Sequence, residues 1–155
     1  MRAVASAVVI AALALAGCGS SSSAPPSSSA FRSAFRTEKT AFRQLGLELQ
    51  QAITGAKAKT DAQLATELGA LSGRASQQAS RLARLKPPAK FMTSLTQLAG
   101  GFQAVSADLK AIAAAAGKHD GAAAKTATET LLTDAAKVRT ADDAITKGLG
   151  LPAAG

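Results

Sequence analysis

A single thiol, Cys18, and a single imidazole, His119, are the most reactive side chains that the 155 residues offer. A thiolate is a nucleophile, and an imidazole can carry a proton or hold a metal near neutral pH. Cys18 closes the run Leu15-Ala16-Gly17-Cys18 behind an apolar stretch, whereas His119 lies in the glycine-flanked segment Gly117-Lys118-His119-Asp120-Gly121. Neighbours in sequence do not converge on one reacting atom, so His119 beside Asp120 reads as an exposed turn residue. Haem attachment would need Cys-x-x-Cys-His, and axial ligation would leave only His119 and Met92 once Met1 is lost. A di-metal carboxylate bundle would need Glu-x-x-His pairs, and the chain has none. Glu48, Glu67 and Glu129 stand alone, and Asp142-Asp143 would point in different directions on a helix. Neither a glycine-rich phosphate loop nor a nucleophile motif occurs. The expectation is a non-enzymatic protein with no catalytic residue, no metal site and no cofactor.

The second pattern with chemical content is basic. The chain carries a formal charge of +8, and its two parts differ: Phe31 to Lys90 holds eleven basic residues against four acidic ones, Phe91 to Gly155 six of each. Arg32, Arg36, Lys39 and Arg43 recur at intervals of four, three and four, which places them on one stripe of a helix; Arg74, Arg81 and Arg84 form another. Basic groups close to an anionic membrane contribute about 1 kcal/mol each within a Debye length. The first stripe is therefore expected to meet anionic lipid or an envelope polyanion, although the same spacing also describes a solvated face that maintains solubility. Nucleic acid is not expected, because a protein exported behind a signal peptide rarely meets it.

The elements that would position these residues begin with the N-terminus. Arg2 precedes an apolar stretch from Ala3 to Ala16 whose single polar side chain is Ser6. That is the length of a signal h-region and is short of the about 20 residues that cross a bilayer. Leu15-Ala16-Gly17-Cys18 resembles the lipobox of bacterial lipoproteins. The resemblance implies a signal peptide over 1–17, cleavage before Cys18, and a diacylglyceryl thioether on its sulfur. Two acyl chains hold stably where one is marginal, each methylene contributing about 0.8 kcal/mol. Residues 18–30 then read as the lipidated cysteine and a disordered Ser/Pro-rich tether. With no other cysteine, the fold must be held by packing alone.

From Phe31 to Gly155 the pattern is all-α. Phe31, Phe35, Phe42, Leu45, Leu49 and Ile53 share a helical face that ends near Gly55. Thr60 and Gln63 have capping-box spacing ahead of Leu64, Leu68, Leu71, Ala75, Leu82 and Leu85, with Gln78 as a polar interruption. Pro87-Pro88 separates this segment from the next. Phe91, Leu95, Leu98, Phe102, Val105, Leu109, Ile112 and Ala116 keep a heptad seam across Gly100-Gly101, which predicts a continuous helix. A fourth segment carries Ala124, Ala127, Leu131, Ala135, Val138 and Ile145 and stops at Gly148. Short connections predict a four-helix up-down-up-down bundle over 31–155, with Phe31, Phe35 and Phe91 meeting at the tether end. A helical hairpin completed by dimerisation is the competing architecture.

The stretch from Leu82 to Phe91, with the leucine-spaced helix to Leu109, is similar to small alanine-rich helical lipoproteins of high-GC Gram-positive bacteria. That resemblance implies a lipid-anchored protein on the extracytoplasmic face of the cell membrane. The bundle is expected to present a surface to a partner protein or polyanion, the alternative being a module that holds a small apolar ligand in its core.

Overall fold

A computed structural model describes residues 27–152, and these form four helices: α1 (Ser28–Gly55), α2 (Asp61–Arg84), α3 (Ala89–Gly117) and α4 (Gly121–Gly148). A 3-10 turn at Ala56–Ala58 follows α1. The Ser27 hydroxyl accepts from the Ala30 amide at 3.2 Å, and this cap starts α1 at Ser28. The expected tether boundary at residue 30 is thereby corrected. Ser28 to Ala30 are helical because a serine hydroxyl outside the helix satisfies an amide that has no partner within it. The box at α2 is complete, with Gln63 N–H donating to Thr60 Oγ1 at 3.3 Å and Thr60 N–H donating to Gln63 Oε1 at 2.9 Å. His119 adopts φ 56° in the α3–α4 turn, and Asp120 caps α4 by accepting from the Ala123 amide at 3.0 Å.

The helices run up-down-up-down. Lys39 and Arg32 of α1 reach Asp142 and Gly150 at the far end of the chain, while Phe31 and Phe42 meet Phe91 and Phe102 of the parallel helix α3. Every residue of the α3 heptad seam is buried, and the helix is unbroken through Gly100-Gly101.

The bundle is asymmetric, because α3 lies close to α2 and α4 whereas α1 stands off. Small residues set the close contacts. Ser72 Oγ donates to the Ser106 carbonyl at 2.8 Å and Ser106 Oγ donates to the Ser72 carbonyl at 2.9 Å, so α2 and α3 are stitched through their backbones. A Cβ on Gly101 would lie 2.7 Å from Val138 Cγ2, and one on Gly148 would lie 2.6 Å from the Phe91 ring. Aromatic rings set the wider spacing of α1. Phe31 lies 5.5 Å from Phe91 and Phe42 lies 5.0 Å from Phe102, ring centre to ring centre, with Phe35 fully buried between Phe31 and Phe42.

The two adjacent glycines should behave oppositely. Gly100 has open space where a Cβ would go, so Gly100→Ala should stabilise by about 1 kcal/mol through helix propensity. Gly101→Ala should lose that gain and more, because Val138 must shift. Urea midpoints of the two variants check the difference in sign.

Beyond α4 the chain turns back. Gly150 takes φ 61°, its amide donates to Lys147 O at 3.1 Å, and the Leu151 amide donates to Thr146 O at 3.0 Å. This is a Schellman cap, and it buries Leu149 and Leu151 against the bundle.

Candidate functional site

Cys18 and the preceding Leu15, Ala16 and Gly17 lie outside the described residues. The basic stripe of α1 lies within them and divides into three parts. Arg32, Arg36 and Arg43 are exposed, but Lys39 is buried. Its ammonium donates to Asp142 Oδ2 at 3.0 Å and to Thr146 Oγ1 at 2.6 Å, and Thr146 Oγ1 donates to Asp142 Oδ1 at 3.3 Å. Lys39 is therefore corrected from a surface contact to an internal ion pair that fastens α1 to α4. The physical reason is helical geometry. At 3.6 residues per turn Lys39 lies roughly 40° from Phe35 but roughly 60° from Arg36, which places it on the core side of the stripe.

Arg32 is committed in another way, since its Nη2 donates to the Gly150 carbonyl at 2.8 Å and holds the Schellman cap against α1. Arg36 and Arg43 flank a cavity of about 250 Å³ whose remaining lining is Lys39, Thr40, Leu151 and Pro152. Among the described residues no carboxylate forms an ion pair with either arginine. The C-terminal wall of this cavity escapes the periodicity reading, which ends at Gly148. Gly150 was the available signal, as a left-handed residue that closes a helix and redirects the chain.

The second basic stripe is partly neutralised. Arg74 pairs with Glu48 across α1 and α2. That hydrogen bond, with a second from the Gln44 amide, holds the Glu48 carboxyl below the usual range, and the Arg74 guanidinium keeps its proton more firmly. Arg81 and Arg84 are exposed. Gln78, the polar interruption of the α2 stripe, is buried and donates to Glu38 Oε2 at 2.7 Å. His119 is exposed and pairs with Asp61, and Glu67 pairs with Lys59. No cluster of three or more His, Cys, Asp or Glu side chains suited to a metal occurs among the described residues.

Two larger grooves flank α3. One, of about 620 Å³, is lined by Gln97, Gly100, Gly101, Asp134, Lys137 and Thr140, among others. The other, of about 440 Å³, includes Leu85, Pro87, Met92 and Thr96. Both open on the outside of the bundle, whereas the axis is filled by Phe35, Leu82, Leu98, Leu109 and Ile145.

Asp108 on α3 is a residue that the sequence pattern does not mark. One carboxylate oxygen, Oδ2, is buried with no hydrogen-bond partner. Burial pushes the Asp108 pKa up, the nearby Asp134 charge adds to this, and Lys137 partly offsets it. An acid whose pKa is raised by folding binds its proton more tightly in the native state, so its contribution to stability improves as pH falls through that range. Asp108→Ala should stabilise by about 1 kcal/mol near pH 7 by removing the orphaned oxygen. The gain should shrink on acidification, which urea unfolding of both proteins across acid and neutral pH would read.

Among the described residues no helix is long and apolar enough to cross a membrane. Comparison with protein-family models, with curated proteins and with solved structures finds no match to this chain.

Proposed function

We propose that the protein is a non-enzymatic, lipid-anchored component of the cell envelope, held on the extracytoplasmic face through acylated Cys18, whose bundle meets an anionic surface through α1. The observation that carries this reading is the position of the exposed arginines. Arg32, Arg36 and Arg43 lie on the helix that immediately follows the Ser/Pro-rich segment behind Cys18. A short chain thus separates the acylated residue from the basic face, and both favour the same surface. A partner protein docking on the same bundle is compatible with this arrangement.

Cys18→Ala should remove lipid labelling and leave the protein as unprocessed precursor or released from the membrane fraction. Metabolic labelling with a fatty acid, followed by fractionation, reads both outcomes. Undiminished labelling of the variant would refute the anchor.

A further inference from the structure

We propose that the pocket between α1 and the C-terminal turn binds the phosphodiester of an anionic lipid head group, with Arg36 and Arg43 as its two charged ligands. The proposal rests on the membrane reading above and sharpens it from a basic face to a defined pocket.

The local architecture favours an anion. Arg36 and Arg43 are seven residues apart, two turns and about 10.5 Å along one side of the helix. Among the described residues no carboxylate pairs with either. Asp142, the acidic group close to the pocket floor, is engaged by the Lys39 ammonium, so the floor is a closed ion pair and not a free negative charge. A phosphate group suits what remains, since guanidinium forks bind its oxygens through paired charge-assisted hydrogen bonds.

The opposite wall is apolar and held in place. The left-handed Gly150 brings Leu151 and Pro152 over α1, and the Arg32 hydrogen bond to the Gly150 carbonyl fastens that turn. A bare inorganic anion would gain nothing from this wall, whereas the glycerol carbons of a head group would pack on it. At about 250 Å³ the cavity falls below the range of about 300 to 1,000 Å³ typical of drug-sized ligands. It suits a phosphodiester with its adjoining glycerol and little more. Its place on the first helix to follow Cys18 in the sequence favours a lipid over a soluble phosphate.

The test uses the full lipidated chain in nonionic detergent, with thermal unfolding followed as phosphatidylglycerol is added at constant low salt. A ligand that binds only the native state raises Tm saturably. Arg36→Gln and Arg43→Gln should each weaken the apparent affinity on the order of tenfold, the scale of a lost charged hydrogen bond. Arg139→Gln, which removes the same charge from an exposed position on α4, should leave it unchanged. A weaker but saturable response to soluble glycerophosphoglycerol would support the head-group assignment. A response to inorganic phosphate as large as that to the lipid would overturn it. A loss in Arg81→Gln, an exposed position on α2 outside the pocket, as large as those in Arg36→Gln and Arg43→Gln would overturn the pocket while leaving a diffuse basic face. No response of the unaltered protein to the lipid at low salt would overturn the pocket and the anionic-surface reading together.

Discussion

Lys39→Ala should lower the stability of the bundle by about 3 kcal/mol, the lower end of the range for removing one partner of a buried ion pair. The ammonium is enclosed, with the Lys39 side chain 8% exposed and that of Asp142 14% exposed, so the stranded carboxylate gains only partial access to water. Thr146 Oγ1 also loses the donor that approaches it at 2.6 Å. For a domain of this size the loss corresponds to a fall in Tm on the order of 10 °C. Lys39→Met combined with Asp142→Ala should recover most of it, because replacing both members of a buried pair by apolar groups is often neutral. Urea unfolding of Lys39→Met, Asp142→Ala and the double variant gives the coupling directly. A double variant as unstable as the sum of the singles would show that the pair contributes nothing as a pair.

Phe35→Ala should be at least as damaging, at about 3 to 5 kcal/mol. Phe35 is fully buried and lies 5.9 Å from Phe31 and 6.0 Å from Phe42, ring centre to ring centre. Because α1 is held off its neighbours by these rings, removal of the central one leaves either a void or a shift of the whole helix, and both forfeit contacts. Hydrogen exchange should reveal where the loss falls. Amides of α1 should exchange faster in the variant than those of α3, whose contacts with α2 and α4 do not involve Phe35. Uniform acceleration would instead mean that α1 and the other helices open as one unit.

Much of the architecture is legible in the sequence, for identifiable reasons. The α3 seam is readable because eight apolar residues keep a heptad spacing through two glycines, and all eight are buried. Thr60 and Gln63 reveal the start of α2 because a capping box depends on local chemistry alone. Phe31, Phe35 and Phe91 are readable as neighbours once short turns impose antiparallel succession. Lys39 is not legible in the same way, since a lysine at the edge of an apolar stripe has the same spacing whether it faces water or a carboxylate more than a hundred residues later. Asp142, read as one of two aspartates pointing in different directions, is indeed separated from Asp143, which is exposed. Its partner belongs to another helix, and one-dimensional periodicity does not carry that information. The reciprocal Ser72 and Ser106 bonds and the orphaned Asp108 oxygen are hidden for the same reason, because each depends on the distance between two helices.

The extent of the arginine row has a consequence for posture. Arg32 and Arg43 are eleven residues apart, about 16 Å along α1, whereas electrostatic attraction to a bilayer fades over a Debye length of about 8 Å at physiological salt. A bundle standing upright on a Cys18 anchor would therefore keep Arg32 within reach of the lipid charge and carry Arg43 out of it. Only a reclining bundle, with the long side of α1 laid along the membrane, brings Arg32, Arg36 and Arg43 to the surface together. On the proposed anchor, that posture would turn α3, diagonal to α1, outward, with the groove at Gly100 and Gly101 facing away from the membrane.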